Sequence, residues 1–366
     1  MTAAPPHPLD RIRPEVRAMH AYVVQGAEGM LKLDAMENPF SLPPDLQAAL
    51  GQRLGALALN RYPGPRYADL RAALAQHAGL PPGQALILGN GSDELISLVA
   101  LACAQPGALV LAPEPGFVMY AMSAQLQGLG YVGVPLTPDF ELDEAAMLAA
   151  VAQHRPAITF LAYPNNPTAT LWDEGAMQRI IDAAGAQGGL VVVDEAYQPF
   201  ASRTWLDRMR AEPQRNAHVL LMRTLSKFGL AGVRLGYLIG AADLVGEIDK
   251  VRPPYNVSTL NCEAALFALE HAPVFAEQAR QLREQRSALV AALRALPGVE
   301  KCWDSEANMV LVRVPDAART FAGLRERKVL VKNVSTMHPL LANCLRLTVG
   351  TAADNAVLLQ ALQASL

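Results

Sequence analysis

Cysteine is scarce in this 366-residue chain, charge is low, and long hydrophobic runs are missing. The four cysteines, at positions 103, 262, 302 and 344, lie too far apart for a C-x-x-C site. They read as reduced, packed thiols rather than as metal ligands or a disulfide framework. Charged residues make up 18% of the chain, and 31 Lys+Arg against 34 Asp+Glu leave a formal net charge of -3. That gives no electrostatic footprint for nucleic acid or an anionic membrane. Gly (26) and Pro (27) are too few and too unperiodic for a fibrous or low-complexity protein. No uninterrupted apolar run reaches the ~18 residues of a spanning helix. The first ten residues also lack the basic and apolar regions of a secretion signal. The expectation is a soluble cytoplasmic protein, and the composition favours an enzyme.

What is present is apolar bulk, 51% of residues, enough for a large core. At roughly 100–200 residues per domain the length suggests two or three domains. Between about residues 66 and 240, helical stretches alternate with short apolar runs. The runs are Ala85–Leu88, Ala108–Ala112, Ala157–Ala162, Leu190–Val193 and Val219–Met222, each bounded by Gly, Pro, Asn or Asp. Continuous apolar strands separated by helices predict a largely parallel sheet covered on both faces. Beyond Gly240 the texture changes. A long amphipathic helix over 274–296 precedes strands at Asn308–Arg313 and Leu345–Val349, with helices at 316–327 and 354–362, which is an α+β pattern. The proline-punctuated first 50 residues read as an arm packed on other parts.

Several familiar motifs fail. Gly89-x-Gly91-x-x-Glu94 imitates a dinucleotide fingerprint but has Glu where the third glycine is needed. There is no P-loop, G-x-S-x-G elbow or H-E-x-x-H, and the seven histidines show no metal spacing, so no metal is expected. The Gly89–Gly91 turn feeding a helix at Ser92-Asp93 fits either a phosphate cradle or an ordinary capped helix. Further along, Pro164-Asn-Asn-Pro-Thr168, Asp194-Glu-Ala-Tyr197 and Thr224-Leu-Ser-Lys227 each follow an apolar run. In an open parallel sheet, strand carboxyl ends line the ligand crevice. Taken singly, each motif could be a turn, a cap or a solvated charge. Their joint placement at successive strand ends is much harder to explain that way.

Together with Leu33–Pro39, Asn60–Pro63, Gly91–Glu94, Arg223–Tyr237 and Cys344–Gly350, these motifs make the chain resemble the fold-type I pyridoxal-phosphate aminotransferases. Within them it is most similar to the branch acting on histidinol phosphate. The resemblance covers nearly the whole chain. It implies an arm over 1–50 packing on the small domain and the partner subunit, a large cofactor-binding domain over 51–250 and a small domain over 251–366. Lys227 would hold pyridoxal 5'-phosphate as a Schiff base and carry the proton, as nucleophile and acid–base group in one. Asp194 would keep the ring nitrogen protonated, and Asn166 and Tyr197 would hold the ring's 3' oxygen. Phe117 would stack on the ring. Ser92, Asp93, Thr224, Ser226 and Arg234 would surround the cofactor, most of them at its phosphate. Tyr62 would reach that phosphate from the partner subunit, so a homodimer with shared sites is implied. On the substrate side stand Arg346, Tyr22, Asn38 and Lys332.

Four features depart from the family pattern. Lys227 and Arg234 are seven residues apart instead of eight, Ala169 follows Asn-Pro-Thr where Gly is usual, and Pro113–Phe117 is lengthened. Lys332 stands where many relatives have an Arg for the substrate phosphate, keeping the charge without the bidentate fork. The expected reaction moves an amino group between L-histidinol phosphate and 2-oxoglutarate in histidine biosynthesis. The alternatives are an aromatic-amino-acid aminotransferase, a threonine-phosphate decarboxylase, or more remotely a non-catalytic cofactor-binding regulator.

Overall fold

Branched apolar residues on both faces of a strand require cover on both sides, and the main sheet shows how this is met. The computed structural model describes residues 7–19, 21 and 25–366. Its first strand, β1 (Leu31–Lys32), lies outside the main sheet. The main sheet then takes β2 (Gln84–Gly89), β3 (Leu109–Glu114), β4 (Gly130–Pro135), β5 (Ile158–Ala162), β6 (Leu190–Asp194), β7 (Val219–Thr224) and β8 (Gly236–Ala241). Their order is β2-β8-β7-β6-β5-β3-β4. Only β8 runs against its neighbours. Alternate residues serve opposite layers. Leu161, Val191, Val193 and Leu221 pack with Trp172, Met177 and Ile180 on one face. Phe160, Val192, Leu220 and Met222 pack with Leu95, Ile96, Val99 and Tyr120 on the other.

The expected α/β architecture is the one found, with two additions. Strands β4 and β8 were not expected, because Gly130, Gly133, Gly236 and Gly240 interrupt their apolar runs. Glycine costs strand stability but allows close backbone approach. A Cβ at Gly236 would stand 2.9 Å from both Gly91 C and Ser92 N. The glycine therefore lets the start of helix Ser92–Ala102 sit against the sheet.

The remaining strands form two smaller sheets. β9 (Lys301–Cys302), β10 (Met309–Arg313), β12 (Lys332–Asn333) and β13 (Cys344–Thr348) build an antiparallel sheet in the order β12-β13-β10-β9. Helices Ala272–Ala295, Ala317–Glu326 and Ala352–Gln363 contribute to the apolar cluster around it. β11 (Val329–Leu330) pairs in parallel with β1. Leu33 O also accepts from Thr348 N at 3.0 Å, so residues 31–33 are stitched to this unit. All four cysteines are free thiols. Among the described residues no helix is long and apolar enough to cross a membrane.

Candidate active site

The register of the main sheet aligns Ala162 with Asp194 and Asp194 with Met222 across β5, β6 and β7. Their carboxyl ends therefore open at one level. β3 turns outward to edge strand β4 while β5 lies on its other side, and a crevice forms where the strand order reverses. Ser92, Asp93, Phe117, Asn166, Asp194, Tyr197, Thr224, Ser226, Lys227 and Arg234 all line that one pocket. The sequence expectations for these ten residues thus meet in space. Among the described residues no group of His, Cys, Asp or Glu could hold a metal ion.

Asp194 closes the floor. It is 4% exposed. Its Oδ1 accepts from Ala196 N at 3.0 Å and its Oδ2 from the Tyr120 hydroxyl at 2.7 Å. Burial pushes its carboxyl up to about 6, against these two hydrogen bonds, which favour the ionised form. Behind it, Glu195 is buried and paired with Arg223 at 2.9 Å, which fixes the turn that carries Asp194.

Lys227 follows β7 on a tight turn, Ser226–Leu230, made possible by Gly229 at φ 132. A Cβ there would come within 2.9 Å of the Phe275 ring and 3.0 Å of Asn38 Nδ2, so the turn is closely packed. Lys227 Nζ donates to Ala35 O at 2.9 Å and lies 5.9 Å from the centre of the Tyr197 ring. Burial first, and the positive charge of Arg346 second, push its amine down to about 8. Such an amine is neutral, and nucleophilic, in a far larger fraction at neutral pH than an exposed lysine.

At the pocket's other end, helix Ser92–Ala102 begins after Gly91, at φ 85, with no side chain capping it. Ser92 is thus the first helical residue, not the cap, and leaves first-turn N–H groups available to an anion. The left-handed conformation of Arg234, at φ 54, brings the shortened loop back to this point. Its Nη1 is 3.4 Å from Ser226 Oγ and its Nη2 3.2 Å from Asp93 Oδ2. A Cβ at Gly91 would stand 2.7 Å from Arg234 Nη2. An amine, a buried carboxylate, an aromatic wall at Phe117 and an anion cradle together fit pyridoxal phosphate.

None of the described substrate-side residues lines the pocket, but Arg346 bonds to one that does. Arg346, 8% exposed in β13, donates from Nη1 to Asn166 Oδ1 at 2.6 Å and from Nη2 to Asp34 O at 2.7 Å. Lys332 stands opposite Arg346 in the β12–β13 register but does not line the pocket. Asn38 is not brought to the pocket either. Its amide donates to Gln278 Oε1 and its carbonyl accepts from Phe40 N, both at 2.9 Å, which is a structural use. Tyr62 is 75% exposed and stacks on Tyr255 at 4.4 Å, away from the pocket of its own chain. Tyr22 lies outside the described residues. One lining residue, Tyr120, lies outside every motif singled out in the sequence. Nothing but its spacing of three residues from Phe117 could have drawn attention to Tyr120.

The family model of the class I and II aminotransferases matches residues 28–362. Over 362 residues the chain is 79% identical to the histidinol-phosphate aminotransferase of Paracidovorax citrulli (strain AAC00-1), covering 98% of each. The solved histidinol-phosphate aminotransferase of Sinorhizobium meliloti, in complex with pyridoxal-5'-phosphate, superposes with a TM-score of 0.83 at 25% identity, covering 97% of each chain. The L-threonine-O-3-phosphate decarboxylase of Porphyromonas gingivalis superposes with a TM-score of 0.75 at 22% identity, covering 91% of this chain and 98% of that one. The latter likeness speaks for the fold alone.

Proposed function

Because this chain belongs to the class I and II aminotransferases, we propose that it transfers an amino group between L-histidinol phosphate and 2-oxoglutarate, giving imidazole-acetol phosphate and L-glutamate in histidine biosynthesis. The observation that carries the reading is the Lys227 amine and the buried Asp194 carboxylate brought together in one pocket. Relatives that share 79% of their residues with it over nearly their full length give the substrate. Pyridoxal 5'-phosphate is the cofactor, and when bound it supplies an electron sink for the carbon that loses its proton.

The geometry supports a part for each of these residues. Lys227 Nζ anchors the cofactor and is the group that takes and returns the substrate's Cα proton. Asp194 holds a proton on the ring nitrogen by offering it a full negative charge in a dry site. Asn166 and Tyr197 orient the ring oxygen, Phe117 covers a ring face, and Ser92, Asp93, Thr224, Ser226 and Arg234 hold the phosphate end. Arg346 presents a guanidinium fork suited to two anions, the carboxylate of glutamate or the phosphate of histidinol phosphate.

The enzyme works as a cytoplasmic homodimer on this reading, with residues 1–50 as an arm, 51–250 as the large domain and 251–366 as the small one. Exposed Tyr62 and its stacking partner Tyr255, 57% exposed, support a contact across subunits at the partner's site. Amino-group transfer from histidinol phosphate, phenylalanine and threonine phosphate, compared side by side with carbon dioxide release, tests the reading. Preference for phenylalanine, or carbon dioxide from threonine phosphate, would replace it.

A further inference from the structure

At the pocket floor lies a phenol that no motif marks. Tyr120 is 2% exposed. Its ring stacks on Phe160 at 4.4 Å and 8°, and meets Phe117 edge-on at 5.7 Å and 86°. Two aromatic contacts fix the ring, and the ring fixes the hydroxyl. We propose that Tyr120 is a positioning residue for the cofactor's carboxylate partner, its hydroxyl holding Asp194 ionised and turned so that the acid can serve the ring nitrogen. The proposal rests on the reading of Asp194 given above.

The reasoning starts from the two donors. An ionised carboxylate only accepts hydrogen bonds, whereas a protonated one must also donate. Asp194 Oδ1 faces the backbone N–H of Ala196, which cannot turn round. Its Oδ2 faces the Tyr120 hydroxyl, whose one hydrogen-bond partner among the described residues is this oxygen. A protonated Asp194 would accept more weakly from the Tyr120 hydroxyl than the anion does. Burial and the negative charge of Asp194 both push the Tyr120 phenol well above its ordinary range, so it stays a donor.

The surroundings otherwise oppose ionisation. Burial raises the Asp194 carboxyl, and the charges of Asp93, from helix Ser92–Ala102, and of Glu195, from its own turn, raise it further. Tyr197, from the same turn, faces it as a buried phenol, and Lys227 and Arg234 share the pocket from the segment after β7. The Tyr120 and Ala196 hydrogen bonds are the contacts that favour the anion. Removal of the hydroxyl leaves an acid that is protonated at higher pH and pairs poorly with a protonated ring.

Tyr120→Phe keeps both ring contacts and removes the donor alone. The probe is pyridoxamine 5'-phosphate, which has the ring and phosphate but no aldehyde for Lys227. Its equilibrium binding to the cofactor-free chain is followed by intrinsic fluorescence from mildly acidic to mildly alkaline pH. Wild type, Tyr120→Phe, Asp194→Asn and the double variant are compared, with circular dichroism to verify the fold. Tyr120→Phe is expected to weaken binding about 10- to 100-fold, as for a lost hydrogen bond to a charged group. The loss should be largest at acid pH and shrink as the carboxyl ionises again. In the Asp194→Asn background, Tyr120→Phe should cost less than about twofold, because its effect passes through the charge. If Asp194→Asn weakens binding while Tyr120→Phe does not, the proposal is overturned and the role of Asp194 stands. A Tyr120→Phe loss that is independent of pH, or undiminished beside Asp194→Asn, also overturns it by showing a packing role. If Asp194→Asn binds as tightly as wild type, the reading of Asp194 falls first and takes the proposal with it.

Discussion

Arg346 donates from Nη1 to Asn166 Oδ1 at 2.6 Å, which joins β13 of the small sheet to the turn after β5 in the large one. A cation of the small sheet and an amide of the pocket lining, 180 residues apart in sequence, are thus direct neighbours. A ligand anion that draws on the Arg346 fork would therefore sit beside an amide that lines the pocket. Arg346→Lys keeps a charge but loses the planar fork. It should lower kcat/KM for glutamate and for histidinol phosphate alike, by about 1.5–3 kcal/mol if each loses one charge-assisted bond. In Lys332→Ala the loss should fall mainly on histidinol phosphate, whose phosphate keeps charge left over after pairing with Arg346, and should shrink with added salt. Half-reaction kinetics with each donor check both statements, and equal losses for both donors in Lys332→Ala would remove it from the phosphate site.

Asp194 offers the sharpest single substitution. Asp194→Asn preserves the shape and removes the charge, and Asp194→Glu keeps the charge at a different reach. The Asn variant should lose about 3–5 kcal/mol of transition-state stabilisation, the scale of breaking a buried charge pair, and the Glu variant less. Single-turnover rates on cofactor-saturated protein provide the comparison. Equal rates for Asn and wild type would place the proton-holding role elsewhere.

Lys227 should titrate early in the cofactor-free protein. A depressed amine pKa means more of the neutral, reactive form at a given pH. With a value of about 8, roughly one amine in ten is neutral at pH 7, far more than at an ordinary lysine. Reductive methylation at Lys227, followed by mass spectrometry, should therefore reach half its maximal rate near pH 8. Since Arg346 adds to the depression, Arg346→Gln should move that midpoint upward. A midpoint in the ordinary lysine range near 10.5 would contradict the desolvated site.

Tyr62 allows a test of the shared site. Tyr62→Ala and Lys227→Ala subunits, each inactive alone, should complement when mixed and re-equilibrated. A mixed dimer gathers both defects into one site and leaves the other intact, by the symmetry of an isologous interface. Activity should rise towards about half that of a wild-type dimer for each mixed dimer. Mixtures that stay inactive would put Tyr62 at its own subunit's site.

The parts of this account that were legible in the sequence share a physical reason. Strand-end turns need special residues, so Asn166, Asp194, Ser226 and Lys227 sit in local patterns that survive without tertiary knowledge. β4 and β8 escaped because Gly133, Gly236 and Gly240 break the apolar run, although backbone pairing in the sheet tolerates them. Tyr120 escaped because its function lies in a contact with Asp194, 74 residues away, and not in any local pattern. Asn38 shows the opposite case. Its motif suggested a ligand, and the fold uses both ends of its amide for Gln278 and Phe40.

The central claim is amino-group transfer from histidinol phosphate through a cofactor held at Lys227, and a single-turnover measurement meets it directly. Cofactor-saturated protein is mixed with histidinol phosphate in the absence of 2-oxoglutarate, and products are counted per active site. One equivalent of imidazole-acetol phosphate should appear and then stop, and adding 2-oxoglutarate should release glutamate and restart the reaction. Lys227→Ala should be slower by at least about 10³, since an anchoring and an acid–base group go together. No oxo product from histidinol phosphate, or an undiminished yield and rate in Lys227→Ala, would contradict the account.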